Sequence, residues 1–485
     1  GDALTTGGRH TLMGYASGSS LIDPDRNVAF GYGSLQTDTK GTKSTAVGYS
    51  ALNTQNLTTA TDTNNTAIGY TAGESITTGL GNTLVGSLVG DALTDADNNV
   101  AIGRSALSGD TLGSQSVAIG AFALANQNFT TATNSQNTAV GYAAGDAVTT
   151  GVQNTFVGAF GGDALTVGVH NVAMGYAALS ADTKGNYSVA IGAGALATQN
   201  FTTATNAYNV GVGEDAGLAL TTGTGNTLIG SLAGDSLTDA DRNIAIGYLA
   251  LPADTLGSRS IAIGIGALEV QNFTSATDTY NIAIGYDTGN SISTGVKNTL
   301  IGGLAGETIT TGDYNVIVGY SNQSAAVGTD AQIIIGQSVT GVGANNFTFG
   351  NGATDSNIAF GATSITAPSD QRYKEEIADA TAGLAFIKDL RPVTFKWKKE
   401  NDVPSDHPSY VEGSDTRVIN DYTNHGFIAQ EVKTAIDAHS EIKDGFDMWS
   451  EQGSGGRQRL GPSSLIPMLV KAIQELEARI ATLEG

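Results

Sequence analysis

Pairs of aspartates separated by one residue are the first groups in this sequence that could do chemistry, and they lie at Asp23/Asp25, Asp95/Asp97 and Asp239/Asp241. Two neighbouring carboxylates are what glycoside hydrolysis or calcium binding would use. The pairs are not kept throughout, since Val167 and Val169 stand in the corresponding segment of another copy, and no histidine cluster accompanies them. We therefore interpret them as solvated turn acids and expect no enzyme activity from this part of the chain.

Cysteine and histidine usage argues against a metal centre. The chain has no cysteine, which excludes disulfides, thiol catalysis and cysteine-ligated zinc. The five histidines, at positions 10, 170, 407, 425 and 439, show no metal-ligand spacing. We expect neither a metal nor a cofactor.

The charge distribution divides the chain into two parts of different composition. Residues 1–368 carry 9 Lys and Arg against 26 Asp and Glu, whereas residues 369–485 carry 14 against 20, giving net charges of −17 and −6. Neither part offers the basic stripe that a phosphate backbone requires, so nucleic acid is not an expected partner. No apolar run approaches the ~18 residues of a membrane span, so membrane insertion is not expected either.

An internal repeat organises the first part of the chain. A glycine preceded by a large apolar residue recurs with spacings of 17, 17, 17 and 21 residues, a 72-residue super-repeat. The glycines are Gly14, Gly31, Gly48, Gly69, Gly86, Gly103, Gly120, Gly141, Gly158, Gly175, Gly192, Gly213, Gly230, Gly247, Gly264, Gly285, Gly302, Gly319 and Gly336. The chain opens in mid-repeat, because residues 1–5 match residues 90–94, and we expect it to be part of a longer product.

Each repeat unit has the pattern of one coil of a solenoid. Alternation such as Thr66-Ala67-Ile68 before the glycine indicates a short strand. A single 17-residue coil cannot bury a core, but stacked coils about 4.8 Å apart can do so with columns of equivalent apolar side chains. The sequence therefore predicts a mostly β fold, a parallel β-solenoid (β-roll or β-helix) over residues 1–336. The 18 intervals span roughly 90 Å.

Two details of the coils predict further structure. Asparagine stands four residues before most repeat glycines, where it would bond the turn backbone or stack in a ladder, and serine replaces it in every fourth coil, at Ser44, Ser116, Ser188 and Ser260. The 21-residue coil adds a loop containing Leu57, Phe129, Phe201 or Phe273. These side chains either tuck back over a coil corner or a neighbouring subunit, or they project from a loop available for receptor contact.

After Gly336 the rhythm breaks, and the chain then changes character. Residues 337–368 contain shorter, more aromatic units that we expect to cap the solenoid. Residues 369–485 predict a small α+β domain with a helical stretch over 369–390, a strand over 392–398 and a terminal helix over 463–484. Leu469, Ile473, Leu476, Ile480 and Leu483 form one stripe on that last helix, typical of a coiled coil and also compatible with an ordinary core helix.

The solenoid resembles a known class of repeat. Asn65-Thr66-Ala67-Ile68-Gly69-Tyr70 and its equivalent at 137–142 are similar to the repeats of phage tail fibres and related bacterial surface proteins, akin to the β-roll heads of trimeric autotransporter adhesins. The resemblance implies a homotrimer of left-handed rolls.

The last 117 residues also resemble a known family, through four ordered motifs. They are Ser-Asp-x-Arg-x-Lys at 369–374, Leu-x-Pro-Val-x-Phe-x-Trp at 390–397, Gly-Phe-Ile-Ala-Gln-Glu-Val at 426–432, and Leu-Ile-Pro at 465–467 followed by Lys-Ala-Ile-Gln-Glu-Leu at 471–476. They are similar to the endosialidase-type intramolecular chaperones of phage tail fibres and tailspikes. The resemblance implies that residues 369–485 trimerise, assist folding of the repeat domain and then cut themselves off.

The same resemblance implies roles for individual residues. The scissile bond would be Pro368-Ser369, with Ser369 as nucleophile, Lys374 as general base and Asp370 as an orienting group. A lysine can serve as the base for a serine hydroxyl where desolvation lowers its pKa. The alternative is structural, because Ser369 or Asp370 would also cap a helix whose first turns contain Glu375 and Glu376.

Together with the repeat, the two resemblances imply a structural trimeric fibre. A viral tail fibre would be extracellular, on the virion, and would bind a host cell-surface receptor such as a glycan or an outer-membrane component. A bacterial cell-surface adhesin built from the same modules is the alternative.

Overall fold

The computed structural model describes residues 1–352, 354–367, 369, 371–405, 409–443, 446–451 and 458–484. The chain divides into two compact units, Gly1–Pro368 and Ser369–Gly485. The strands of the first unit are, in chain order, β1 (Thr11–Met13), β2 (Val28–Phe30), β3 (Gly41–Thr42), β4 (Thr45–Val47), β5 (Thr61–Asp62), β6 (Thr66–Ile68), β7 (Thr83–Val85), β8 (Val100–Ile102), β9 (Gly113–Ser114), β10 (Val117–Ile119), β11 (Thr133–Asn134), β12 (Thr138–Val140), β13 (Thr155–Val157), β14 (Val172–Met174), β15 (Gly185–Asn186), β16 (Val189–Ile191), β17 (Thr205–Asn206), β18 (Val210–Val212), β19 (Thr227–Ile229), β20 (Ile244–Ile246), β21 (Gly257–Ser258), β22 (Ile261–Ile263), β23 (Thr277–Asp278), β24 (Ile282–Ile284), β25 (Thr299–Ile301), β26 (Val316–Tyr320), β27 (Ile333–Gln337), β28 (Asn346–Asn351) and β29 (Thr354–Ala359).

The first unit is a parallel β-solenoid, as the repeat predicts. Each coil contributes one strand that pairs in parallel with the equivalent strand of the next coil, for example β8 with β10 through Ala101↔Ala118. The strands form one long sheet from β1 to β29, and four additional two-residue pairs accompany the 21-residue coils. The pairing register follows the 17- and 21-residue spacing without a slip.

The interior of the solenoid is lined by small and branched residues. In the three-residue strands from β2 to β25 the central residue points inward and is fully buried, as in Ala101, Ala118 and Phe156. Leucines four residues after the repeat glycine, such as Leu107 and Leu124, fill the space between the sheet and the opposite side of the coil. Because strand residues alternate between faces, the large apolar residue before each glycine lies on the outside instead.

Buried asparagines form the ladder that the sequence suggested. The backbone N–H of Asn171 donates to Asn154 Oδ1 at 2.9 Å, and the Asn154 amide donates to the carbonyl oxygen of Gly168 at 2.9 Å. Asn154 is fully buried, so the turn backbone of each coil is satisfied by a side chain of the same or the preceding coil.

The serine of every fourth coil is explained by the loop of the 21-residue coil that follows. Ser116 is shorter than asparagine, and the Gln127 amide occupies the space, donating to Ser116 Oγ at 3.2 Å and to buried Asp110 at 2.5 Å. The ladder then continues through Asn137, whose amide donates to Gln127 Oε1 at 2.9 Å. Phe129 is only 5% exposed, and its N–H donates to Asp110. The structure therefore favours the interpretation in which the loop side chain tucks back over its own coil.

The solenoid ends in a closing hairpin. The last coil, between Gly336 and Gly350, has only 14 residues, and β28 still pairs in parallel with β27. The chain then reverses, and β29 pairs antiparallel with β28. An antiparallel strand cannot template a further parallel coil, so this hairpin closes the edge of the stack.

The repeat glycines are required by close approach of neighbouring coils, which gives a first prediction. At Gly247, φ is +135°, and a Cβ would lie 2.6 Å from the carbonyl oxygen of Gly264. We expect Gly247→Ala to destabilise the solenoid by more than about 3 kcal/mol, because backbone strain and a backbone clash add. Gly352→Ala is the control: φ is +54°, but no atom lies within 4 Å of the added Cβ, so the cost is about 1 kcal/mol. Equal calorimetric unfolding midpoints for the two variants would contradict this account of the repeat.

The second unit is a small α+β domain. Its elements are α1 (Leu384–Asp389), β30 (Val393–Phe395), β31 (Asn424–Gly426), α2 (Ala429–Ala438), β32 (Trp449–Glu451), β33 (Gln458–Leu460) and α3 (Ile466–Glu484), with 3-10 turns at Gln371–Tyr373, Glu400–Asp402 and Pro462–Leu465. The strands form two antiparallel pairs, β30 with β31 and β32 with β33.

One secondary-structure prediction for this unit is wrong. Instead of a helical stretch over 369–390, the chain makes a single 3-10 turn and then only the six-residue α1. Glu376 has φ of +53°, which no α-helix accommodates, and Gly383 lies outside helical geometry just before α1. The predicted strand shortens to β30, and the terminal helix begins at Ile466 after a 3-10 turn rather than at residue 463.

Candidate functional site

Ser369 and Lys374, the two proposed reactive side chains, lie in direct contact. The 3-10 turn Gln371–Tyr373 folds the chain back between them, and the N–H of Lys374 donates to the carbonyl oxygen of Gln371 at 3.0 Å. Lys374 Nζ donates a hydrogen bond to Ser369 Oγ at 2.6 Å. In its neutral form the same amine could instead accept the hydroxyl proton, which is the geometry a serine–lysine pair needs.

The other two predicted site residues are not placed. Asp370 and Pro368 lie outside the described residues, so the orienting role of Asp370 and the position of the scissile carbonyl remain sequence-based predictions. Ser369 and Lys374 are exposed in the single chain. In the described residues no helix covers Glu375 and Glu376, so the alternative in which Ser369 caps a helix containing them is not supported.

A compact core holds the rest of the domain. Phe386 of α1 is fully buried and packs in one cluster with Val432 and Ile436 of α2, Met448 and Leu465. Val432 belongs to the sequence motif at 426–432, so this motif contributes to packing of the core.

A long-range contact that the sequence analysis missed joins α1 to α3. The N–H of Leu384, the first residue of α1, donates to Glu475 Oε2 at 2.9 Å across 91 residues. A carboxylate at a helix N-terminus satisfies an unpaired donor and complements the helix dipole. Glu475 lies within the Lys-Ala-Ile-Gln-Glu-Leu motif, which was the signal that could have identified it.

Arg391 and Glu431 form an exposed ion pair beside α2. Arg391 Nε donates to Glu431 Oε2 at 3.0 Å, and a second guanidinium nitrogen contacts Oε1. The hydrogen bond from Arg391 lowers the pKa of Glu431 and raises that of Arg391. The pair is exposed, and we assign it no large share of stability.

His439 is held between two carboxylates at the end of α2. Its Nε2 lies 2.8 Å from Asp389 Oδ2 and its Nδ1 lies 3.1 Å from Glu441 Oε1, and the side chain is 13% exposed. The hydrogen bond to Asp389 raises the pKa of His439 above its ordinary value of 6.5, with partial opposition from burial and support from Glu441. The imidazole ring also packs edge-on against Phe386.

This arrangement predicts that the stability of the second unit depends on pH. Because the folded pKa is raised, the stabilisation is fully present below pH 6.5 and is lost as pH rises through the folded pKa. We expect the denaturant concentration at the unfolding midpoint of the second unit to fall as pH rises through that range. Tryptophan fluorescence follows this unfolding, because the chain's two tryptophans, Trp397 and Trp449, both lie in the second unit. His439→Gln should remove the slope of this midpoint against pH. The control His425→Gln, which changes an exposed histidine, should retain the slope. A slope that survives His439→Gln would refute the assignment.

The terminal helix α3 presents an apolar stripe that its own unit leaves uncovered. Ala472 is buried against the domain, whereas a stripe beside it on the same helix ranges from 43% to 87% exposed. The stripe consists of Ile466, Leu469, Ile473, Leu476, Ile480 and Leu483. It alternates isoleucine and leucine at heptad spacing, which is a pattern for packing against another helix.

The solenoid also carries an uncovered apolar surface, here called the outer face. It is made by the first and third residues of the solenoid strands, whose central residue is buried. None of these flanking residues is charged from β1 to β27. The third-position residues are Met13, Phe30, Val47, Ile68, Val85, Ile102, Ile119, Val140, Val157, Met174, Ile191, Val212, Ile229, Ile246, Ile263, Ile284, Ile301, Val318 and Ile335. An apolar stripe of nearly 90 Å, at about 4.8 Å per strand, is typical of an interface.

Two other kinds of site are absent from the described parts of the chain. No group of three or more histidine, cysteine, aspartate or glutamate side chains there is arranged to hold a metal ion. No described helix has the length and hydropathy of a membrane-spanning segment.

Comparison with known proteins relates the second unit to a known family. A family model, Peptidase_S74, described as the chaperone of endosialidase, matches residues 369–440. The match begins at Ser369 and extends through α2. Neither curated proteins nor solved structures gave a match to the chain. The chain therefore carries a chaperone-of-endosialidase domain in its C-terminal unit, preceded by a parallel β-solenoid body.

Proposed function

We propose that this chain forms a homotrimeric fibre whose C-terminal domain assembles the three copies and then cuts itself off at Pro368-Ser369. The observation that carries the assembly is the outer face, an uncharged apolar stripe along the solenoid that a single chain leaves partly open to water. A second copy with the same coil spacing matches such a face strand for strand. The family match supports trimerisation, because chaperones of this kind act on trimers.

The uncovered stripe of α3 supports the same assembly. In three parallel copies the stripes would pack together, while Ala472 and Glu475, on the adjoining face, keep the helix on its own domain. The helix would then hold the copies in register. The register between the copies must be set in this way, because a solenoid shifted by 72 residues against its neighbour would bury nearly the same side chains.

In the proposed cleavage, Ser369 Oγ attacks the carbonyl carbon of Pro368 while the Lys374 amine accepts the hydroxyl proton. The C–N bond of the Pro368-Ser369 peptide breaks, and the proton passes to the amine of Ser369. Pro368 is then an ester on Ser369 Oγ, and water hydrolyses it to a carboxylate and a free hydroxyl. The contact between Lys374 Nζ and Ser369 Oγ supports this pairing.

Assembly would control this chemistry. Both side chains are exposed in one copy, and a lysine acts as a base once it is withdrawn from water. Packing of three copies would supply that burial, so that cleavage follows correct assembly. In the wider role, the fibre is a viral tail fibre that binds a host cell-surface receptor, and a bacterial surface adhesin is the second candidate.

Intact mass spectrometry tests the cleavage. We expect the purified chain to release a fragment of 117 residues, roughly 13 kDa, beginning at Ser369. Ser369→Ala and Lys374→Ala should each stay whole, and Ser364→Ala, a matched serine five residues upstream, should split normally. If all four chains stay whole, the domain is retained and the proposed protease activity is wrong.

A further inference from the structure

The segment that leads to the proposed scissile bond is tied to the last strand of the solenoid. Thr366 forms an isolated antiparallel bridge with Asn357 of β29. The N–H of Asn357 donates to the carbonyl oxygen of Thr366 at 2.7 Å, and the N–H of Thr366 donates back at 2.6 Å. Thr366 Oγ1 adds a bond to the same carbonyl oxygen of Asn357 at 3.1 Å.

Asn357 is itself fixed to the closing hairpin. Its side-chain amide donates to Asn346 Oδ1 at 3.0 Å and to the carbonyl oxygen of Phe347 at 3.3 Å, both on β28. In the strand register Asn357 lies opposite Thr348, which is 1% exposed. The bridge to Thr366 is therefore tied to the closing hairpin, whose first strand, β28, also pairs with β27 of the preceding coil.

The bridge lies close in sequence to the bond that would be cut. Only Ala367 and Pro368 stand between Thr366 and Ser369. Two extended residues span at most roughly 7 Å. An anchor at this distance restricts the carbonyl side of the bond, which is the side that the nucleophile attacks.

We propose that Asn357 and Thr366 are positioning residues for the self-cleavage. The bridge holds the acyl side of Pro368-Ser369, so cleavage waits until the closing hairpin of the solenoid has folded. The hairpin thereby acts as a checkpoint for completion of the shaft, separate from the burial of Ser369 and Lys374 on assembly. This inference rests on the proposed function, since it presumes that the bond is cut.

Two insertions of equal length test the positioning. Gly-Ser placed between Thr366 and Ala367 lengthens the path from the bridge to the bond, and we expect about 100-fold slower cleavage, the usual cost of misplacing a reacting group. Gly-Ser placed between Thr363 and Ser364 lengthens the loop before the bridge and leaves the path unchanged. Loop lengthening costs little, so the rate should stay within about 3-fold of the parent chain.

Substitutions separate the bridge from recognition of the local sequence. Asn357→Ala lies 12 residues from Ser369 and removes the amide bonds to β28, so it should slow cleavage at least 10-fold. Asn351→Ala, at the exposed turn of the same hairpin, should not. Thr366→Pro removes the bridging N–H and should slow cleavage, whereas Thr366→Ser keeps both donors and should retain the rate.

The readouts are the cleavage rate constant from intact mass over time, the site of the cut and the unfolding midpoint of the solenoid. The proposal predicts slow cleavage in the affected variants with an unchanged midpoint. Equal rates for the two insertions, with the parent chain cleaving normally, would overturn the positioning role and leave the self-cleavage standing. A parent chain that stays whole would overturn the cleavage and this inference together.

Discussion

Replacing Ile191 by lysine on the outer face should abolish trimer formation while leaving the coil folded. Ile191 is 37% exposed in the single chain, so a lysine there can lie along the sheet and keep its ammonium group in water. In the proposed trimer the same group would be enclosed by apolar side chains. An uncompensated buried charge costs about 3–5 kcal/mol, and each of the three protomers would bear that cost.

The matched control is Gln153→Lys. Gln153 is exposed at a coil corner, five residues before its repeat glycine, and the chain itself carries Lys297 at the equivalent position. This variant adds the same charge away from the outer face and should assemble normally. Sedimentation velocity should therefore show the parent species for Gln153→Lys and smaller species for Ile191→Lys. If both variants sediment like the parent chain, the outer face is not the interface.

Placing an aspartate at Ile473 should have the next largest effect, because this side chain lies in the middle of the α3 stripe. Ile473 is 65% exposed and outside the core of its own unit, so the domain should still fold. In an assembled coil the change removes about 1.5–3 kcal/mol of apolar burial per helix and introduces a buried charge. We expect loss of assembly and, with it, loss of cleavage at Pro368-Ser369.

Gln474→Asp is the control for this change. Gln474 is the neighbouring residue, exposed and outside the stripe, and it receives the same charge. Tryptophan fluorescence should show that both variants fold, while only Ile473→Asp should lose the oligomer. If Ile473→Asp still assembles and cleaves at the parent rate, α3 is not part of the interface.

The sequence predicted the solenoid because its geometry is local and repetitive. The 17, 17, 17 and 21 residue spacing sets the coil length, and glycines such as Gly247 mark positions where neighbouring backbones approach within contact distance. The role of Ser116 became clear only in three dimensions, where Gln127 from the following coil takes the space that an asparagine would fill. Alternation placed one residue of each strand inside, but it did not say that alanine would be the inner one.

The second unit was less predictable, because its structure depends on distant contacts. The charged stretch after Ser369 has a helical pattern, yet Glu376 adopts a left-handed conformation and the helix is confined to α1. The cap of α1 comes from Glu475, which lies 91 residues away from Leu384 in the chain. The contact between Ser369 and Lys374 follows from a 3-10 turn that sequence periodicity does not encode.

The stoichiometry of the Ser369→Ala chain tests the central claim most directly, because this variant keeps the whole molecule while preventing the proposed cut. Sedimentation equilibrium measures its mass independently of molecular shape. We predict a single species of three times the 49.2 kDa chain mass, unchanged on dilution across the micromolar range. A species of 49.2 kDa at every concentration would show that neither the outer face nor α3 joins copies, and it would contradict the proposed fibre.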